Sequence, residues 1–124
     1  MVCVRKIFNT KKGERIRPQN TLRSIAALGD NWDRCGAPRI SNRVLRTAHS
    51  LMWDLPGGYR MFPTCRNSIC LEWSCHARQV NVEVCESHCS VMMVVDNIGI
   101  TTQTCFSLME TLDVFNAFWF LDED

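Results

Sequence analysis

Ile69-Cys70-Leu71-Glu72-Trp73-Ser74 and Val80-Asn81-Val82-Glu83-Val84 place an apolar side chain at every second position. That is the period of a strand with one face in a core and the other against polar surroundings. The short break at His76–Arg78 between the two runs reads as a turn, so they predict a hairpin. Val91–Val95 is apolar at every position and reads as a more interior strand. Asp96-Asn97-Ile98-Gly99 turns the chain again, and Tyr59–Cys65 reads as an edge strand because Pro63 cannot donate to a ladder. The expectation is an antiparallel meander of three or four strands.

On either side of this meander the period lengthens to that of a helix. Val44, Leu45, Ala48, Leu51, Met52 and Leu55 follow an i, i+3, i+4 stripe. Ser41 supplies an N-cap oxygen, Ile40 a hydrophobic staple onto Leu45, and Pro56-Gly57-Gly58 the stop. A shorter helix is expected from Asn20 through Leu22, Ile25, Ala26 and Leu28, ended by Gly29. Thr104–Leu121 carries Phe106, Leu108, Met109, Leu112, Phe115, Phe118 and Trp119, with Thr104 or Ser107 as cap and Glu110 completing a capping box. Its apolar residues cover more than one stripe, which suits a helix laid on the sheet with surplus surface for a second chain. The fold class read from these elements is α+β, an antiparallel meander packed with an N-terminal helix pair and a C-terminal aromatic-rich helix.

The chain has 124 residues, 46% of them hydrophobic and 22% charged, enough for one domain with its own core and too apolar for a disordered tail. Its mean hydropathy of -0.11 is too polar for a membrane bundle, and the C-terminal helix is too interrupted by Glu110, Asp113 and Asn116 to span a bilayer. Residues 1–19 read as a basic arm with a possible strand at Val2–Phe8, and residues 20–124 as a single domain. Met1–Phe8 lacks the apolar run of a secretory leader, so the expected location is the cytoplasm.

A net charge of +1 conceals a division. Residues 1–62 hold twelve Lys/Arg against four acids, a net +8, and residues 63–124 hold two against nine, a net −7. Such segregation points to charged partners, or to one half lying against the other. Arg39, Arg43 and Arg46 crowd the start of the main helix, where the helix dipole disfavours cations. They are candidate partner-binding residues, together with Glu72, Glu83 and Glu86 of the acidic half and Phe115 and Trp119 of the last helix.

Eight cysteines could form a disulfide framework. They fall within apolar runs, however, and the chain is long enough to fold without staples, so reduced, structural thiols are expected. The alternative is zinc held by Cys85, His88 and Cys89, with Cys75-His76 nearby. Cys65, Cys70 and Cys75 recur every five residues and give no second ligand pair of clean spacing. No cofactor is expected. Phosphate-binding glycine loops, a nucleophile elbow and H-E-x-x-H are all absent, and Asp30, Asp33 and Asp54 read as turn and cap residues, so the sequence does not point to an enzyme. For nucleic acid, the basic half offers several phosphate contacts, but no helix-turn-helix, RRM or KH pattern is present.

Gly29-Asp30-Asn31-Trp32-Asp33-Arg34-Cys35-Gly36-Ala37-Pro38, Ile40-Ser41, Phe62-Pro63-Thr64 and Ile69-Cys70-Leu71-Glu72-Trp73 together resemble a family of small bacterial and phage proteins. Its pattern runs Asn-Trp-Asp-Gly-Tyr-Gly-Ala, a capped helix, a Pro-Thr turn and a Gly-Gly-Ile-x-Leu-Glu-Trp strand, and the likeness spans about residues 22–96. The chain departs from it at Arg34 and Cys35, where the pattern has Gly and Tyr, and at Arg66-Asn67-Ser68, where it has Asp-Gly-Gly. The resemblance implies no catalytic residues. It marks Asn31, Trp32, Asp33, Glu72 and Trp73 as a shared feature, with Trp32 and Trp73 packing in the core and Asn31 and Asp33 bonding turn amides.

These readings converge on a non-enzymatic, phage- or mobile-element-type interaction module. The expected partner is a larger bacterial complex, inhibited in the manner of an anti-CRISPR protein by occupation of its surface or nucleic-acid channel. A homodimer through the C-terminal helix and nucleic-acid binding by the basic half are further expectations. A small zinc-stabilised domain is the remaining alternative.

Overall fold

The computed structural model describes residues 18–96 and 99–120. Two helices, α1 (Pro18–Ala26) and α2 (Asn42–Asp54), precede five strands and a last helix. The strands are β1 (Arg60–Thr64), β2 (Ser68–Cys75), β3 (Arg78–Val84), β4 (Cys89–Val95) and β5 (Gly99–Cys105), and the last helix is α3 (Leu108–Trp119). The sheet runs in chain order, β1-β2-β3-β4-β5, each neighbour antiparallel. It is the predicted α+β meander, with one strand more than expected. Most of the basic arm, and the possible strand at Val2–Phe8, lie outside the described residues. Helix α1 begins two residues earlier than the sequence suggested, at Pro18, whose fixed φ suits a first helical turn.

The period-two residues form the floor of the core. Ile69, Leu71, Val80, Val82, Val84 and Val91 are fully buried and Trp73 nearly so, and each contributes about 1.5–3 kcal/mol by leaving water. Helices cover this face. Val44, Ala48, Leu51 and Met52 of α2, Leu22 and Ile25 of α1, and Phe115 of α3 close over it in one cluster. Ile40 is buried and Leu45 packs partly buried against the same cluster, as a staple requires. The Ser41 side chain accepts from Val44 N–H, capping α2. At α3, Ser107 accepts from Glu110 N–H at 3.0 Å while Glu110 accepts from Phe106 N–H at 2.8 Å, so Ser107 rather than Thr104 is the cap. Thr104 belongs to β5.

Strand β5 escaped the sequence reading because Gly-Ile-Thr-Thr-Gln-Thr has no apolar alternation, and six of its seven residues are exposed. Among the described residues no helix is long and apolar enough to cross a membrane.

Candidate functional site

The two charged halves meet different fates on folding, and that difference defines the site. Glu72 is only 4% exposed. Register places Arg60 directly across from it, with Arg60 Nη1 3.7 Å from its Oε1, and Gln79 donates to its Oε2 at 2.9 Å. Glu83 accepts from Arg66 Nη2 at 2.8 Å and from Ser68 Oγ at 2.6 Å. Thr64 and Ser68 hydroxyls are also hydrogen-bonded to each other, so this network stitches the β1–β2 hairpin to β3. Glu86 accepts from the Ser41 hydroxyl at 3.2 Å, and Glu110 is spent on the start of α3. Among the described acids of this half, Glu72 and Glu83 are thus ion-paired and Glu86 and Glu110 hydrogen-bonded, while Asp96 and Asp113 stay exposed. Glu72 in particular is corrected from a contact residue to a buried, paired carboxylate.

Phe115 requires the same correction. It has no exposed surface and its ring lies 4.4 Å from that of Trp73. Trp119 stacks behind Phe115 at 6.2 Å and is half-buried, and its carbonyl accepts from Arg78 Nη1 at 3.0 Å. The aromatic stripe of α3 is a core stripe. The large apolar side chains left exposed are Leu108 and Met109 in its first turn, beside Phe106, and Phe120 at its C-cap.

The arginines of the helical side remain open. Arg23, Arg39, Arg43 and Arg46 are all exposed, and none takes part in an ion pair among the described residues. Between α1 and α2 lies an open groove of about 680 Å³, with Arg23, Arg46, His49 and Asn42 among its polar lining and Leu22 and Leu45 among its apolar lining. Trp53, 62% exposed, stands edge-on to His49 with ring centroids 5.9 Å apart, and its Nε1–H points at His49 Nε2 at 3.5 Å. The groove thus presents guanidinium groups, an imidazole and an adjacent open indole, a set that can meet an anion and stack on a planar group. The sequence reading missed Arg23, His49 and Trp53. A helical wheel carries the signal, because His49 and Trp53 lie four residues apart and off the buried Val44–Ala48–Leu51–Met52 stripe.

The loop before α2 shows what Asn31, Trp32 and Asp33 do. Asn31 Oδ1 accepts from Gly36 N–H at 2.7 Å, and Asp33 Oδ1 accepts from Cys35 and Ala37 N–H, both at 2.9 Å. Trp32 Nε1–H donates to the Pro38 carbonyl at 2.9 Å, and Asp30 accepts from Arg39 N–H at 3.1 Å. The Ala37 amide, opposed by burial and helped by the Cys35 amide, holds the Asp33 carboxyl below the ordinary aspartate value. These side chains bond turn amides. Trp32 is half-buried in the loop rather than in the core, whereas Trp73 is a core residue. Arg34 and Asn67, where the chain lacks the glycines of the resembling pattern, both have positive φ, 62° and 56°. The turns persist with L-residues in a backbone region that glycine occupies freely.

The described cysteines differ in burial. All seven in the described residues are free thiols. Burial pushes Cys70 up to about 12 and Cys89 to about 11, and raises Cys85 and Cys105 as well, so these four stay protonated at neutral pH. The zinc alternative does not assemble: among the described residues no three His, Cys, Asp or Glu side chains gather as a metal would need. Cys89 turns into the core while the His88 ring is engaged with Ser87 Oγ at 3.1 Å.

No family model matches the chain, and no curated protein and no solved structure matches it.

Proposed function

We propose that the chain is a non-enzymatic binding module that engages a polyanion, nucleic acid foremost, through its basic N-terminal half. The observation that carries this reading is the contrast in charge use. Glu72, Glu83, Glu86 and Glu110 are taken up by the chain's own groups, while Arg23, Arg39, Arg43 and Arg46 are exposed without ion-pair partners in the described residues. Unpaired guanidinium groups are what phosphate contacts require. The segment ahead of α1 adds Arg5, Lys6, Lys11, Lys12, Arg15 and Arg17 against Glu14. In the phage-type setting implied by the resemblance, such a module would inhibit a bacterial defence complex by competing for its nucleic acid or by covering an acidic patch. Imitation of nucleic acid by an acidic face has less support, because Glu72 and Glu83 are ion-paired within the chain and Glu72 is buried.

The test is fluorescence anisotropy of the full chain with short single- and double-stranded oligonucleotides across a salt series. Binding that weakens steeply with salt is expected, with Arg23→Ala and Arg46→Ala each reducing the log–log slope by about 1. Absence of binding at low salt would overturn the nucleic-acid reading. Capture of an acidic protein from bacterial lysate, lost in the same two variants, would transfer the arginine surface to a protein partner.

A further inference from the structure

The free edge of β5 is built to pair, and hydrogen-bond geometry shows which residues it offers. Cys85 N–H donates to the His88 carbonyl and Asp96 N–H to that of Ala77, each at 2.9 Å. The two pairs continue the β3–β4 register one step beyond each end, and an antiparallel ladder alternates between bonded and non-bonded pairs. Ser90, Met92 and Val94 therefore turn their backbone groups toward β3, and Cys89, Val91, Met93 and Val95 turn theirs toward β5. The β5 partners of that second set are Cys105, Gln103, Thr101 and Gly99. The N–H and C=O groups of Ile100, Thr102 and Thr104 consequently point outward, and no backbone group among the described residues meets them.

Edge strands are ordinarily blunted by charge, proline or brevity. The opposite edge, β1, has five residues and contains Arg60 and Pro63. Strand β5 has seven residues with no charge and no proline, within an uncharged run from Asn97 to Met109. Ile100 is 68% exposed, Phe106 75% and Met109 71%, so exposed apolar side chains stand at both ends of this strand and at the helix start that follows it.

We propose that β5 pairs antiparallel with β5 of a second copy about a two-fold axis at Thr102, joining the two sheets into one continuous sheet. In this register Ile100 faces Thr104 of the second copy and Thr102 faces its own counterpart, giving about six backbone hydrogen bonds. All three outward-bonding residues of each copy find partners, which is the self-complementarity an isologous contact needs. Asp96 and Glu110 fall beyond the ends of the ladder, so no like charges oppose one another. Side-chain rows continue across the axis, Met92 and Thr102 of one copy running into Thr102 and Met92 of the other. The contact lies on the sheet edge and does not depend on the arginine groove.

Light scattering after size exclusion, over a concentration series of the full chain, tests it. Dimers are expected for the natural chain. Thr102→Lys, which sets two ammonium groups against each other at an exposed position, is expected to give folded monomers whose cooperative thermal transition no longer shifts with protein concentration. Arg46→Glu should leave the dimer intact. A natural chain that is monomeric at every concentration overturns the proposal and leaves this edge to an extended segment of another protein or of the chain's own N-terminus. A Thr102→Lys protein that still dimerises overturns it in favour of another face.

Discussion

Trp73 and Phe115, forty-two positions apart, meet at the centre of the core with ring centroids 4.4 Å apart and planes inclined at 55°. The same indole donates Nε1–H to the Pro56 carbonyl at 3.1 Å, which satisfies its polar edge as burial demands. This contact ties α3 to the hairpin and, through Pro56, to the end of α2.

Phe115→Ala is therefore expected to lower stability by about 3–5 kcal/mol, the cost of a large aromatic lost from a packed site. Urea denaturation followed by tryptophan fluorescence measures it. A loss below about 1 kcal/mol would mean that α3 is not held by this contact.

Of the four described non-glycine residues with positive φ, Arg34 and Asn67 predict opposite responses to glycine. Arg34→Gly should stabilise by about 1 kcal/mol, since the Arg34 side chain makes no hydrogen bond or ion pair among the described residues that would offset its backbone strain. Asn67→Gly should destabilise, because Asn67 Oδ1 accepts from Ser41 N–H at 2.8 Å and ties the β1–β2 turn to the cap of α2. Asparagine also tolerates this backbone region better than arginine. Chemical-denaturation midpoints of the two variants provide the comparison, and equal shifts in the same direction would refute it.

Tyr59 packs 5.1 Å from Trp73, and its buried hydroxyl has no hydrogen-bond partner among the described residues. Tyr59→Phe removes an unsatisfied polar group and should leave stability at neutral pH unchanged or raise it by up to about 1 kcal/mol. Burial pushes the Tyr59 phenol from 10.0 up to about 12. A raised folded-state value means that the neutral phenol's contribution is complete below pH 10 and is lost as pH climbs toward 12. The natural chain should therefore lose stability across that alkaline window more steeply than Tyr59→Phe, which a pH series of denaturation midpoints would reveal.

Thiol chemistry should divide the cysteines by burial. Cys35, Cys65 and Cys75 are exposed and are expected to alkylate readily in the native protein at neutral pH. Buried Cys89 and Cys105 should react only after denaturant is added, and half-buried Cys70 more slowly than the exposed set, since burial raises all three thiols. Peptide mapping by mass spectrometry distinguishes the two sets, and native labelling of Cys70 at the rate of Cys65 would contradict the packing of β2.

Local periodicity made much of the architecture legible. The Val44–Ala48–Leu51 stripe and its Ser41 cap, the alternation of Ile69–Leu71–Trp73 against Val80–Val82–Val84, and the Ser107–Glu110 cap each encode an element within a few residues. The tight turn around Asn31 and Asp33 was legible for the same reason, since those side chains bond amides two to five positions away. Strand β5 was not, because an edge strand exposed on both faces needs no apolar alternation, and its Thr-rich sequence reads equally as loop. Arg23 and His49 could be assigned to a shared groove, with Trp53 beside it, only once α1 was laid against α2.

The amino-acid order by itself determined the helix stripes, the strand periods and the unequal distribution of charge along the chain. Tertiary structure alone decided which charges stayed available. Strand register set Arg60 across from Glu72, and the hairpin brought Arg66 and Ser68 to Glu83, consuming acids that composition counts as surface. Short-range patterns depend on bond geometry and turn chemistry within one element, whereas ion pairing and burial depend on partners that only the assembled sheet and helices bring within reach.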